Sequence, residues 1–226
     1  MAVHHLRAIV PVCILLFAST GLANSILVNN FSFETLPAGG LPIVGYLGGV
    51  YSEDAIPGWT NGGFTGQFQP GGPSGTVPDP YFNTLSNGPT DAYSNGGTIS
   101  QTVGAVVQAG VTYTFQVDIG SRLDTPALGT ADLLVNGVQH FATGTLVAGG
   151  WATFTAVYTG LAADVGDSIT IQLNSSGEQG DFDNVRLSNN LTTTTPEPGS
   201  FALMGSGIVG LIAWRYRRSR ATQTRE

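Results

Sequence analysis

Few residues in this sequence could do chemistry. Between residues 24 and 195 the only histidine is His140, and there is no lysine or cysteine. A serine hydrolase needs a base beside its nucleophile and an acid to orient that base. His140 follows an Asn136-Gly137 pair and has no Gly-x-Ser-x-Gly phrase to serve. As a lone histidine it reads as an exposed or hydrogen-bonded side chain. Thirteen carboxylates in the same span leave a glycosidase pair open. No Glu-x-Asp-x-x-Glu phrase marks one, and Glu178 to Asp183 reads as a turn. Phosphate-loop, zinc and haem spacings are absent as well. The sequence therefore predicts no catalytic residue.

Aromatic side chains are the better candidates. Trp59, Tyr81, Phe82 and Tyr93 lie in or beside a stretch from Leu36 to Pro89 dense in Gly, Pro and Asn. Sugar rings stack on aromatic faces while nearby amides and acids bond their hydroxyls, which builds a neutral saccharide site. Trp59, within Ile56-Pro57-Gly58-Trp59, equally fits packing beneath a sheet edge, as does Trp151. Tyr81 and Tyr93 are the freer candidates for a ligand.

The elements that must position these residues are strands. Val111, Tyr113, Phe115, Val117 and Ile119 share one face, and Thr112, Thr114, Gln116 and Asp118 the other. Further strands are predicted over 26–33, 98–103, 131–135, 138–142, 153–158, 168–173 and 182–187. Asn136-Gly137 suits the positive φ angles of a two-residue hairpin. Residues 36–89 read as a long structureless loop, often a functional feature. Short alternating strands with Gly, Asn and Asp turns predict an all-β fold, an antiparallel β-sandwich of about 170 residues. In its last strand Asp183 shares parity with Val185 and Leu187, which predicts a core-facing carboxylate. Such a group is costly unless paired or metal-bound.

Four phrases in order resemble galactose-binding-like jelly rolls, which include many carbohydrate-binding modules. They are Leu27-Val28-Asn29-Asn30-Phe31-Ser32-Phe33-Glu34, Ile56-Pro57-Gly58-Trp59, Gly97-Thr98-Ile99-Ser100-Gln101-Thr102-Val103 and Phe182-Asp183-Asn184-Val185-Arg186-Leu187. The resemblance implies that the first and last strands lie close together with a structural calcium between them. Glu34 and Asp183 would be its acids, backbone carbonyls completing the set. The alternative is that Asp183 bonds turn amides, with Asp181 and Glu178 merely solvated.

The two ends address the chain. Residues 1–23 carry Arg7, an apolar stretch from Ala8 to Ala18 and a Gly21-Leu22-Ala23 cleavage site, as a secretory signal peptide does. Cys13 falls inside it, so the mature protein has no thiol. A β-sandwich is expected over 24–190, a linker with Pro196, Glu197 and Pro198 over 191–200, and a membrane segment with an arginine-rich end over 201–226. Phe201 to Trp214 is apolar, and Arg215, Arg217, Arg218 and Arg220 follow as a stop-transfer patch assigned to the cytoplasm. The order resembles the PEP-CTERM sorting tail of exported bacterial proteins. That implies an exosortase-type protease as partner, and a setting rich in extracellular polysaccharide. A permanent single-span anchor is the rival, though the run falls short of the roughly twenty residues a span needs.

Charge narrows the partners. Residues 24–195 set thirteen acids against Arg122 and Arg186. So few bases exclude nucleic acid, whose binding needs Lys and Arg to displace counterions. Two function classes remain. One is a non-catalytic surface or matrix protein that associates with polysaccharide; the other is an extracellular glycan-active hydrolase using a carboxylate pair.

Overall fold

The structure, a computed structural model, describes residues 23–125 and 129–191, together with Gly207. The chain divides into two compact units, Met1–Leu191 and Thr192–Glu226. The expected signal peptide, linker and membrane segment fall almost wholly outside the described residues. Among those described, no helix is long and apolar enough to cross a membrane.

The strands in chain order are β1 (Asn24–Ile26), β2 (Ile43–Val44), β3 (Val50–Ser52), β4 (Thr60–Gly62) and β5 (Thr65–Gln69). Then come β6 (Asp91–Asn95), β7 (Thr98–Val106), β8 (Thr112–Ser121) and β9 (Gly129–Val135). The last are β10 (Val138–Phe141), β11 (Gly150–Thr159), β12 (Ser168–Ser175) and β13 (Gln179–Asn189). They form two antiparallel sheets: β11-β8-β13-β6-β5-β3-β2, with β1 also on β13, and β10-β9-β12-β7-β4. Two short 3-10 turns, Gly72–Ser74 and Ala162–Asp164, are the helical content of the first unit's described residues. The all-β antiparallel sandwich is as the alternating sequence requires.

Alternation sets the layers. Tyr113, Phe115, Val117 and Ile119 of β8 are buried between the sheets with Ile99, Leu133, Ile169, Ile171 and Leu173 of the other layer. Burying each such side chain contributes about 1.5–3 kcal/mol, and this core carries the thiol-free domain. The Asn136-Gly137 turn has φ of 48° and 76°, joining β9 to β10 as its residues dictate.

Three expectations are corrected. The opening strand stops at Ile26 rather than running to Phe33. Asn30 and Phe33 take positive φ, and the Phe33 amide donates to the Asn30 carbonyl, so the chain turns. Glu34 therefore sits on a loop. Second, residues 36–89 contain strands β2 to β5. Their pairing rests on close backbone approach rather than side-chain alternation. At Gly66 a Cβ would collide with the Ser52 carbonyl on β3 and the Tyr93 ring on β6. Third, β13 carries a bulge between Asp183 and Arg186, with Asn184 at φ 51°. Phe182, Val185 and Leu187 all reach the interlayer core across it. Asp183 is buried, but on the opposite, outer face of the sheet, paired with Asp118.

Candidate functional site

The outer face of the eight-stranded sheet carries a second apolar cluster of Phe68, Tyr81, Phe82 and Tyr93. Register explains it. Tyr93 on β6 stands opposite Gly66 on β5, and Tyr51 on β3 stands opposite Phe68. Loop residues Tyr81 and Phe82 fold over the sheet, with Asp79 Oδ1 accepting both their amides at 2.7 Å. Phe82 stacks on Trp151 at 4.9 Å, and the Trp151 indole donates to the Thr84 carbonyl.

Beside this cluster opens a cleft of about 300 Å³ walled by Tyr51, Phe64, Phe68, Tyr81 and Tyr93. Tyr51 and Phe64 each meet Tyr93 edge-on, at 6.0 and 5.9 Å. Arg122, just past β8, places its guanidinium 4.5 Å from the Tyr81 ring centre and bonds Asp124 through two nitrogens at 2.8 and 2.6 Å. That pairing holds the Asp124 carboxyl below its ordinary range. Burial pushes the Tyr81 and Tyr93 phenols up, so both stay neutral. Asn95 and Gln179 add amides to the lining.

Of the four aromatic residues singled out in the sequence, the structure brings Tyr81 and Tyr93 together in this cleft and packs Phe82 in the cluster beside it. Trp59 lies elsewhere. It is 8% exposed in the interlayer core, 5.3 Å from the Phe33 ring, and its indole donates to the Asn30 carbonyl. Tyr51, Phe64, Phe68 and Arg122 were not singled out. The first three sit among the glycines of 36–89, and only cross-strand register gathers them. His140 lies on β10 with its ring 4.6 Å from that of Tyr158.

Carboxylates crowd the same outer face under the loop. Asp118 accepts from Ser86, Thr153, Asn184 and Arg186 at 2.6–3.2 Å. Asp183 accepts backbone amides of Asn87 and Asn184, both at 2.6 Å. Burial pushes its carboxyl up to about 8; the two amides pull it down, and the charges of Glu34 and Asp118 raise it further. Glu34 accepts the Thr90 amide at 3.0 Å and lies against Gly88, where a Cβ would strike it. Glu34 and Asp183 are thus close enough to feel each other. Among the described residues no three acids converge as a ready metal cage.

Asp181 is 1% exposed, which corrects its expected solvation. The bulge puts it, like Asp183, on the covered outer face. Burial pushes it up to about 6, opposed by Arg122 and by Gln179, whose amide donates to its Oδ1 at 2.7 Å. Asp91 is 2% exposed and neither of its oxygens has a hydrogen-bond partner. Burial holds it well above the carboxylate range, and Asp181, Asp183 and Asp79 add to the effect.

Comparison with known proteins adds three findings. The tail, residues 194–218, matches the PEP-CTERM protein-sorting motif, the mark of an exported protein. No curated protein matches the chain. Among solved structures, the CBM22-1-CBM22-2 tandem of Paenibacillus barcinonensis Xyn10C is 14% identical over 80% of this chain and 50% of that one, with a TM-score of 0.47. The single CBM22-1 xylan-binding domain of the same protein gives 14%, 77%, 98% and 0.43. The CBM22-1-GH10 modules of Clostridium thermocellum xylanase 10B, complexed with xylohexaose, give 19%, 66%, 29% and 0.39. The chain thus spans under a third of that xylanase structure. The sandwich itself is matched by one family model from residue 24 to 188, and the chain belongs to the HpiC1-like family, described as HpiC1 cyclase.

Proposed function

We propose that this is an exported, non-catalytic surface or matrix protein. Its sandwich holds extracellular polysaccharide in the aromatic cleft, and its tail is processed by an exosortase-type protease. The observation that carries the reading is the cleft: five aromatic walls with amide groups at the rim, on a domain with almost no basic side chains. Flat rings shed water readily against the apolar faces of sugars, and Asn95 and Gln179 can bond hydroxyls. The test is retention on immobilised neutral polysaccharides, comparing the native protein with Tyr51→Ala. Equal retention of both, or none by either, ends the reading.

The same reading includes a structural calcium at Glu34 and Asp183. Two hard carboxylates suit calcium, which takes six to eight oxygens, the rest to come from carbonyls and water. The amides on Asp183 use only part of its acceptor capacity.

A second reading is enzymatic and draws on the family's description as a cyclase. Asp181 lies one hydrogen bond beneath a cleft-lining residue, Gln179. An acid so placed could serve a reaction in an apolar cleft, whether cyclisation or glycan cleavage. Turnover of a bound ligand, abolished by Asp181→Asn, would favour it over binding alone.

A further inference from the structure

Between residues 24 and 195 the chain has two basic side chains, and one of them, Arg122, lines the aromatic cleft. Its side chain is 9% exposed. The guanidinium lies over two rings, 4.5 Å from the Tyr81 centre and 5.7 Å from that of Phe68. The next residue, Leu123, donates its amide to the Tyr81 carbonyl at 2.9 Å, so arginine and loop are fixed together. A guanidinium carries five N–H groups in a planar fork. Arg122 gives one from Nε and one from Nη2 to the two oxygens of Asp124. That pairing takes the side edge of the fork. The end edge, with one N–H on each Nη, has no partner among the described residues. Nearby polar groups are committed: the Tyr93 hydroxyl donates to the Ser52 carbonyl and the Gln179 amide nitrogen to Asp181. Tyr93 therefore offers a ligand its ring, and Arg122 offers a parallel pair of donors.

We propose that the end edge of Arg122 holds a vicinal hydroxyl pair of a neutral sugar ring stacked in the cleft. Two parallel N–H groups can engage two neighbouring oxygens at once. In a neutral saccharide those oxygens are adjacent hydroxyls at the ring edge, reached while the ring face lies on an aromatic wall. A carboxylate fits the same fork but carries the wrong charge here. Asp124 already pairs the guanidinium, and the charge of Asp181 bears on it as well. The inference rests on the cleft being the saccharide site. It adds that the cleft selects chains whose linkages leave a hydroxyl pair free.

The experiment is retention of the full-length protein, in detergent, on immobilised konjac glucomannan, curdlan and polygalacturonate. Glucomannan is linked through position four, which keeps adjacent hydroxyls free; in curdlan the linkage through position three leaves no adjacent pair. The native protein should be held about tenfold more strongly by glucomannan than by curdlan, as hydrogen bonds to a charged donor imply. Arg122→Lys keeps the charge, loses the fork and should lose that preference. Should it fail to fold, Arg122→Met fills the space beside Tyr81 without any N–H and makes the same measurement. If Arg122 merely props the wall, its loss lowers retention on both polymers alike and the preference survives, which overturns the proposal. A native protein that holds both polymers equally overturns it too, as does one that holds polygalacturonate above glucomannan. In each of those cases a loss of retention in Tyr51→Ala leaves the cleft reading standing. A native protein held by neither neutral polymer ends both.

Discussion

Asp118 and Asp183 occupy the same rung of β8 and β13, two carboxylates side by side on the outer face of the sheet. Asp118 is held by three side-chain hydrogen bonds and an ion pair to Arg186, whereas Asp183 has only amides. Both reach the loop that ends in Pro89, through Ser86 and Asn87. If a calcium also joins Glu34 to Asp183, chelator should lower the melting temperature, because a ligand held only by the folded state stabilises it. At a hundredfold excess over its Kd the effect is about 2.7 kcal/mol. Asp183→Ala should abolish the response. A melting curve indifferent to chelator would leave the amides as the whole account of Asp183.

In the cleft, Tyr51→Ala removes a half-exposed wall without opening the interlayer core. Retention on a polysaccharide that binds the native protein should fall at least tenfold, about 1.4 kcal/mol. The melting temperature should move little.

Trp59→Ala separates packing from binding. The ring lies in the interlayer core, so truncation should cost about 3–5 kcal/mol. Trp59→Phe keeps most of the packing and loses the bond to the Asn30 carbonyl. It should bind saccharide as the native protein does. A binding defect in Trp59→Phe at intact stability would return this residue to the ligand site.

How much of this was legible in the sequence depends on which interaction made each element. β8 declares itself because burial of one face imposes a period of two. The hairpin at Asn136-Gly137 is legible because positive φ selects those residues. The strands β2 to β5 leave no such trace, since glycine packed against backbone pairs strands without alternation. Asn184 hides the other failure. Its positive φ inserts the bulge that sends Asp183 outward, so parity counted from Val185 assigns the wrong face. Tyr81 and Tyr93 were visible as aromatics near a loop region. Their neighbours Tyr51, Phe64 and Phe68 depend on register, which no local pattern reports.

Asp132, on the other sheet, gives a pH test. It is fully buried, with Oδ2 accepting from Gln139 and Asn174 and Oδ1 unpartnered. Burial pushes its carboxyl from 3.8 up to about 6, against the pull of those two amides. A raised folded pKa means that the native state binds the proton more tightly. The stability it gives is full below pH 3.8, falls as pH rises to about 6, and is flat above. Asp132→Asn should flatten that slope and raise the melting temperature at pH 7 by about 2–4 °C, roughly 1 kcal/mol. A variant with the native pH profile would place the proton elsewhere.

The tail gives the last test. Proline restricts φ to near −65° and has no amide donor, so a Pro-Glu-Pro sequence disfavours helix, and no helix would have to unwind before a protease engaged it. Replacing Pro196, Glu197 and Pro198 with alanine should let helix form there and block processing, leaving a full-length membrane form. Deleting Arg215 to Arg220 acts differently. It would remove the positive charge expected to stop transfer, so the segment should slip outward rather than wait uncut. The measurement is the C-terminal residue of the mature protein, read by mass spectrometry from cells that carry the sorting machinery. Cleavage should fall near the triplet in the native chain and disappear in the alanine variant. A mature protein still ending at Glu226 would make the tail a permanent single-span anchor.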